Sequence, residues 1–286
     1  MPEIQVLDST LFYQDAGAGT PVVFLHGSPV SSHLWRNVLP QIQNARTLAL
    51  DLIGMGKSGK PDLPYRFADH ARYLDAWMDA LQLENIILVG IDWGGALAFD
   101  WARRHSEKTR GIVFMETILK PMTWEEFPPA AKTRFEAIRT PGKGEKMIME
   151  DLQYLETALT ATVLTPLAPE DFQAYLQPFL TPPSRRPLLE WPRAMPLEGE
   201  PQDVIERIKA YNHWLKHSID VPKLLLTFEG SPTLMVTPQL VEWCRENISH
   251  LEIQHCGPAG HLAPEDQPEA IAAAINGWMK RNSLWT

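Results

Sequence analysis

Gly90-Ile91-Asp92-Trp93-Gly94 is the stretch on which the reading of this chain turns. An unbroken apolar run, Ile86-Ile87-Leu88-Val89, enters it, and a helical pattern from Gly95 to His105 leaves it. Small residues stand two positions to either side of Asp92. A sharp strand-to-helix turn requires this, because bulky neighbours would clash around a central residue held in strained backbone geometry. Such a turn projects the central side chain beyond the C-terminal end of its strand. Serine hydrolases carry Ser at that point; here it is Asp. A serine alkoxide attacks carbonyl carbon, whereas a carboxylate is suited to displacing a leaving group from sp³ carbon, which makes an alkyl ester of the enzyme. The competing reading, Asp92 as a helix N-cap, accounts for the helix but not for the entering strand and the paired glycines.

The same strand–helix rhythm extends outward from the turn. Val22 to Leu25 and Thr47 to Leu50 read as buried strands ending at His26-Gly27 and Asp51. Residues 67–82 carry Leu74, Trp77, Met78 and Leu81 at helical spacing. Gly111 to Met115 is a further strand. After Pro121 the pattern changes to a Pro-punctuated, helical stretch without strand runs, lasting to about Ser218. Strand signals resume at Lys223 to Leu226 and Leu251 to His255, with helices near 237–247 and 268–281. Alternating strands and helices imply a mostly parallel sheet. The expected architecture is an α/β core domain, residues 1–120 and 219–286, interrupted by a helical insertion at 121–218.

Composition narrows the functions that need weighing. The 286 residues are 44% hydrophobic and 21% charged, with a net charge of −9. An acidic chain is a poor ligand for phosphate backbones, so nucleic acid is not an expected partner. No run approaches the ~18 apolar residues of a membrane span, and Met1-Pro2-Glu3-Ile4-Gln5 lacks the basic and apolar regions of a signal peptide. Two cysteines, Cys244 and Cys256, make no disulfide framework and read as small buried side chains. The expected location is the cytoplasm. Gly54-Met55-Gly56-Lys57-Ser58 imitates a phosphate loop, but the first glycine of that motif would fall on Asp51, whose charge repels a phosphate.

An ester on Asp92 must be hydrolysed, which calls for a base. His261, in Gly257-Pro258-Ala259-Gly260-His261-Leu262 just past the last strand run, stands where the order nucleophile–acid–His would put it. A carboxylate is needed to hold its tautomer, and two compete: Glu116, ending the strand 111–115, and Glu229, ending the strand near Phe228. His26-Gly27-Ser28-Pro29 ends an earlier strand, so the Ser28 N–H can join the Trp93 N–H in an oxyanion hole. The Trp93 indole N–H, a donor with no acceptor role, suits a departing anion. Trp77, Trp101 and Trp243 read as core packing, as do most insertion aromatics such as Phe127, Phe172 and Phe179.

Taken together, these segments resemble the haloalkane dehalogenases of the α/β-hydrolase superfamily. The resemblance covers essentially the whole chain. It rests on His26-Gly27-Ser28-Pro29 with Ser31 to Asn37, on Asp51 to Asp62, and on Asp92-Trp93-Gly94-Gly95-Ala96-Leu97. Met115-Glu116 followed by Pro121-Met122-Thr123-Trp124, Trp191-Pro192-Arg193, and Pro196 to Pro201 extend it. The resemblance implies Asp92 as nucleophile, His261 as base, Glu116 rather than Glu229 as acid, Trp93 as a halide donor, and a helical cap over an apolar pocket that includes Pro192. It implies a small apolar halogenated substrate, water and a halide ion as partners, no cofactor, no metal, no membrane, and a monomer or homodimer. The chain departs from the family's pattern in three places. Ser28 stands where an Asn usually supplies the second halide donor, Ile91 replaces a frequent polar residue, and Gly260 replaces a common Leu, which would widen the pocket. An epoxide hydrolase with the same triad, using cap tyrosines such as Tyr154, Tyr175 or Tyr211, is one alternative. A coelenterazine-type cofactor-free oxygenase, which the segment Gly144-Glu145-Lys146-Met147 also resembles, is the other. A ligand-binding relative without activity ranks below both, because the triad is complete.

Overall fold

A computed structural model describes residues 2–285. Met1 and Thr286, which belong to the expected core ranges, lie outside the described residues. The sheet comprises β1 (Glu3–Val6), β2 (Ser9–Gly17), β3 (Thr20–Leu25), β4 (Ala45–Leu50), β5 (Ile86–Asp92), β6 (Thr109–Thr117), β7 (Lys223–Glu229) and β8 (Leu251–Pro258). Their order is β1-β2-β4-β3-β5-β6-β7-β8. β2 runs antiparallel to both of its neighbours, and every other pairing is parallel. The central strands are covered on both faces, and all seven residues of β5 are buried. Strands sandwiched in this way read as continuous apolar runs, which is why the sequence marks them so clearly. The hairpin β1–β2 lies outside the sequence expectation. β1 has four residues, of which only Val6 is buried, and the end of β2 is exposed. Pairing to β4, with Tyr13 opposite Leu50, supplies what the local pattern lacks.

Helices α1 (Phe67–Ala80), α2 (Trp93–Arg104), α3 (Pro129–Arg139), α4 (Lys143–Met149), α5 (Gln153–Ala161), α6 (Pro169–Leu176), α7 (Arg186–Ala194), α8 (Gln202–His217), α9 (Pro238–Asn247), α10 (Ala263–Asp266) and α11 (Pro268–Arg281) complete the fold. The described residues between β6 and β7 hold α3 to α8 and short 3₁₀ turns, with no strand. α1 buries Leu74, Trp77 and Met78 as its spacing predicts. Trp101 is buried too, but Trp243 is only half-buried, because it stands at a surface cavity between the end of β6 and α9. Both cysteines are free and buried. Among the described residues no helix is long and apolar enough to cross a membrane.

The phosphate-loop imitation is explained by its contacts. Asp51 Oδ1 accepts the Ser32 N–H at 2.7 Å and Oδ2 accepts the Lys57 N–H at 2.7 Å. The carboxylate thus occupies the space a phosphate would need and pins two loops beside the sheet.

A charge cluster fastens α6 to the sheet's C-terminal edge. Arg36 forks onto both oxygens of Glu265, at 2.7 and 2.8 Å, and also reaches Asp171 of α6 at 2.7 Å. Tyr175 of α6 donates to Glu265, and His33 bonds Asp171 at 2.7 Å. The Glu265 side chain is 4% exposed, so removing its partner leaves a charge with little water to solvate it. We expect Arg36→Met to lower the unfolding free energy by about 3 kcal/mol, measured by urea denaturation. A loss below about 1 kcal/mol would place the cluster among solvent-screened surface pairs.

Candidate active site

The sheet order reverses at β3, with β4 on one side and β5 on the other. Loops leaving β3 and β5 therefore diverge and open a crevice at their C-terminal ends. Asp92 closes β5 at φ 50°, ψ −130°, a strained conformation that costs ~1–3 kcal/mol. The flanking glycines make it possible. A β-carbon on Gly94 would collide with the Leu25 and His26 carbonyl oxygens, and one on Gly90 with the backbone of Gly94 and Gly95. Gly27 matters in the same way: a β-carbon there would overlap the Asp92 carboxylate. Its absence lets the Ser28 N–H donate to Asp92 Oδ2 at 2.8 Å.

His26 holds that loop in place. Its buried ring accepts the Leu52 N–H at Nε2 (3.0 Å), so the proton sits on Nδ1, which donates to the Gly27 carbonyl at 2.7 Å. Burial pushes its pKa below the usual imidazole value and so favours this neutral form. Burial likewise raises the Asp92 pKa, against the opposing pull of the His261 charge and of the Ser28 and Trp93 backbone N–H groups.

β6 brings in the acid through a bulge. Ile91 pairs with Met115, but Asp92 pairs with Thr117, so Glu116 is an extra residue on its strand. Its φ is 43°. A bulge re-aims one side chain out of the alternating pattern. Here it turns Glu116, 1% exposed, towards the loop after β8. Glu116 Oε2 accepts the Met235 N–H at 2.7 Å and faces His261 Nδ1 at 3.2 Å, and Oε1 accepts the Val236 N–H at 3.2 Å. Nδ1 has only a carboxylate opposite it, so it carries the proton and Nε2 keeps a lone pair. His261 Nε2 lies 3.8 Å from Asp92 Oδ1. That is too long for a hydrogen bond and leaves Nε2 directed at the reacting group. Burial depresses the His261 pKa, but the Glu116 hydrogen bond and the Asp92 and Glu116 charges outweigh it, and the net shift is upward.

Glu229, the competing acid, is exposed and stands beside His255 instead, 3.8 Å away. The structure thus brings Asp92, Glu116 and His261 together and leaves Glu229 out.

Above them lies a cavity of about 80 Å³. Asp92, Trp93, Ser28 and His261 form its floor, and Phe127, Phe135, Trp191, Pro192, Met195 and Met235 form apolar walls. The Trp93 indole has no hydrogen-bond acceptor among the described residues and stacks on Trp191 at 4.7 Å. Pro192 is a lining residue. Gly260 is not: the Thr162 backbone fills the space beside it, its N–H is tied to Asp266 at 2.8 Å, and it does not line the cavity. The expected widening there is corrected accordingly. Of the three insertion tyrosines, Tyr154 alone lines the cavity. Tyr175 is bound to Glu265, and Tyr211 donates to the Ile118 carbonyl at 2.6 Å.

Sequence reasoning missed Arg134, Thr162, Thr233 and Met235 as lining residues. The available signal for Arg134 was its i, i+3, i+4 spacing with Ala131 and Phe135, which puts the three on one face of α3. Among the described residues no group of three or more His, Cys, Asp or Glu side chains is arranged to hold a metal ion.

A strained Asp turn facing a His–Glu pair across the C-terminal edge of a parallel sheet defines an α/β hydrolase, and residues 20–140 match the family described as alpha/beta hydrolase fold. The chain is 44% identical over 281 residues to a haloalkane dehalogenase of Mesorhizobium japonicum, spanning 97% of this chain and 90% of that protein. It is 41% identical over 266 residues to one of Agrobacterium fabrum, spanning 93% and 86%. Among solved structures, a haloalkane dehalogenase from Bradyrhizobium elkani superposes with a TM-score of 0.94 at 41% identity, covering 99% of this chain and 98% of that one. The chain belongs to the haloalkane dehalogenase family.

Proposed function

We propose that this chain hydrolyses short haloalkanes to an alcohol and a halide ion through an ester on Asp92. The observation that carries the reading is the asymmetry of the Asp92 carboxylate. Oδ2 accepts the Ser28 N–H at 2.8 Å, whereas Oδ1 faces His261 Nε2, 3.8 Å away. Oδ1 attacks the substrate carbon, the carbon–halogen bond breaks, and the halide leaves with the bonding pair towards the Trp93 indole N–H. His261 Nε2 then takes a proton from water as the hydroxide adds to the ester carbonyl carbon. The resulting oxyanion sits on Oδ2, where backbone N–H groups stabilise it. Collapse expels the alkoxide, which takes the proton back from His261 and departs as the alcohol; the aspartic acid left behind loses its proton to solvent.

One observation favours this reading over epoxide opening. Epoxide opening needs phenols above the carboxylate; Tyr175 and Tyr211 are committed elsewhere, which leaves Tyr154 alone at the cavity. Residues 121–218 serve as the cap that walls the cavity and excludes water, on a core made of 1–120 and 219–286. A reducing cytoplasm suits the two free cysteines.

Single-turnover hydrolysis of 1-bromobutane in oxygen-18 water tests the mechanism. Label is expected in the Asp92 carboxylate, because water attacks the enzyme's own carbonyl carbon. Label found solely in butanol after one turnover would replace the ester with direct displacement by water.

Ser28 is expected to limit the halide end. Its hydroxyl has no hydrogen-bond partner among the described residues, although it lines the cavity. Ser28→Asn extends an amide donor towards the leaving group. We expect bromide to bind about tenfold tighter, equivalent to ~1.4 kcal/mol, followed by quenching of tryptophan fluorescence, with faster bromide formation. Unchanged bromide affinity and rate would remove Ser28 from the halide site.

A further inference from the structure

Arg134 is an anomaly in the cavity. It projects from α3 between Ala131 and Phe135 into an otherwise apolar wall. Its Nε–H is buried without a hydrogen-bond partner. No carboxylate among the described residues comes within 4.0 Å of its guanidinium, although Glu150 and Asp151 line the cavity on its outer side. Its guanidinium lies 5.9 Å from the ring of Tyr154, and its charge also acts on His261, whose pKa it lowers. Arg134 and Tyr154 are also the two residues shared by the inner cavity and that outer one, of about 540 Å³. They therefore stand together at the boundary between the two cavities.

A guanidinium that is partly desolvated and unpaired is unfavourable in the empty protein, and a haloalkane offers it nothing. What it fits is a planar anion, bound by two parallel N–H donors. Burial pushes the Tyr154 pKa up to about 12, so its hydroxyl keeps its proton and adds a third donor. We propose that the cavity is built for a haloalkyl substrate ending in a carboxylate, with the halogen at Trp93 and Asp92 and the carboxylate at Arg134 and Tyr154. The net charge of −9 repels such a substrate at long range. That repulsion is screened within about 8 Å at physiological ionic strength, whereas the pairing with Arg134 forms at contact.

This inference rests on the dehalogenase reading, and the test separates the two. Bromide release is measured from 1-bromobutane, 5-bromopentanamide and 5-bromopentanoate, the last two alike in shape and different in charge. Wild-type kcat/KM is expected to favour the carboxylate over the amide at least tenfold. Arg134→Met should bring that ratio to about one, mainly through KM, and Arg134→Lys should restore part of it. Pentanoate, which has no leaving group, should inhibit 1-bromobutane turnover competitively in the wild type and at least tenfold more weakly in Arg134→Met. Turnover of the neutral substrates without a carboxylate preference, or a ratio that Arg134→Met leaves in place, overturns the carboxylate subsite alone. Weakened inhibition by bromide with an unmoved ratio does so too, since it would assign Arg134 to the halide. Absence of bromide from every substrate overturns the hydrolytic reading and this inference with it.

Discussion

A His261→Phe variant is expected to release one equivalent of bromide from 1-bromobutane and then stop. The first step needs only Asp92 Oδ1, because the Ser28 N–H engages the other oxygen. The second needs a base, and His261 Nε2 is the nearest, at 3.8 Å from Oδ1. Phenylalanine fills the same space with no lone pair, so alkylation proceeds while hydrolysis falls by about 10⁴-fold. Rapid-quench bromide measurement should show a burst matching the enzyme concentration, and intact mass should show a butyl group carried on Asp92. Steady turnover within tenfold of the wild type would take the base role away from His261. A folded variant with no burst would instead move the defect to the first step.

The second large effect is expected from Glu116→Gln. Glu116 accepts from His261 Nδ1, from Met235 N–H and from Val236 N–H. Glutamine keeps one acceptor oxygen and sets an NH₂ group either against the Val236 N–H, at the Oε1 position, or against both the Met235 N–H and His261 Nδ1, at the Oε2 position. In the second arrangement the ring loses the tautomer that keeps the Nε2 lone pair on the ester. Replacing the orienting carboxylate in a triad of this logic lowers turnover by about 10⁴-fold. The pH profile separates this from general damage. His261 must be neutral to act, so activity rises as pH rises through its pKa. In the wild type that pKa lies above the ordinary value, because the Glu116 hydrogen bond and the nearby carboxylate charges overcome burial. Removing the Glu116 charge should therefore move the acid limb of single-turnover ester hydrolysis to lower pH while the plateau drops. A dropped plateau with an unmoved limb would mean that Glu116 supports the loop at Met235 and Val236 without acting on His261.

Each part of the site was legible in the chain to the degree that it is local. The turn at Asp92 could be read at sight, because sterics confine its requirements to five consecutive residues. Strands β3 to β6 were equally plain, since burial on both faces writes them as continuous apolar runs. The hairpin of β1 and β2 was not, because it depends on pairing with β4 more than on its own pattern. Glu116 and Glu229 looked alike from sequence, each an acid at a strand end. The one-residue register shift against β5 separates them by turning Glu116 inward, while Glu229 stays in solvent beside His255. Family pattern pointed to Glu116, and the bulge is the physical reason.

Gly260 shows the opposite case. By sequence a missing side chain means more room, but the Thr162 backbone just past α5 has already taken that room. Arg134 was passed over because one arginine on an insertion helix is ordinarily a solvated residue. Only the packing of α3 and α5 over the sheet edge leaves it unpaired at the cavity wall. By itself, the sequence determined that a carboxylate stands on a strained turn at the end of a parallel strand, because that demand is met by neighbours along the chain. Tertiary structure alone decided which oxygen of Asp92 faces His261, which acid holds that ring, and what charge stands at the outer boundary of the cavity. Those depend on distances between residues up to 169 positions apart in the chain, which no local pattern encodes.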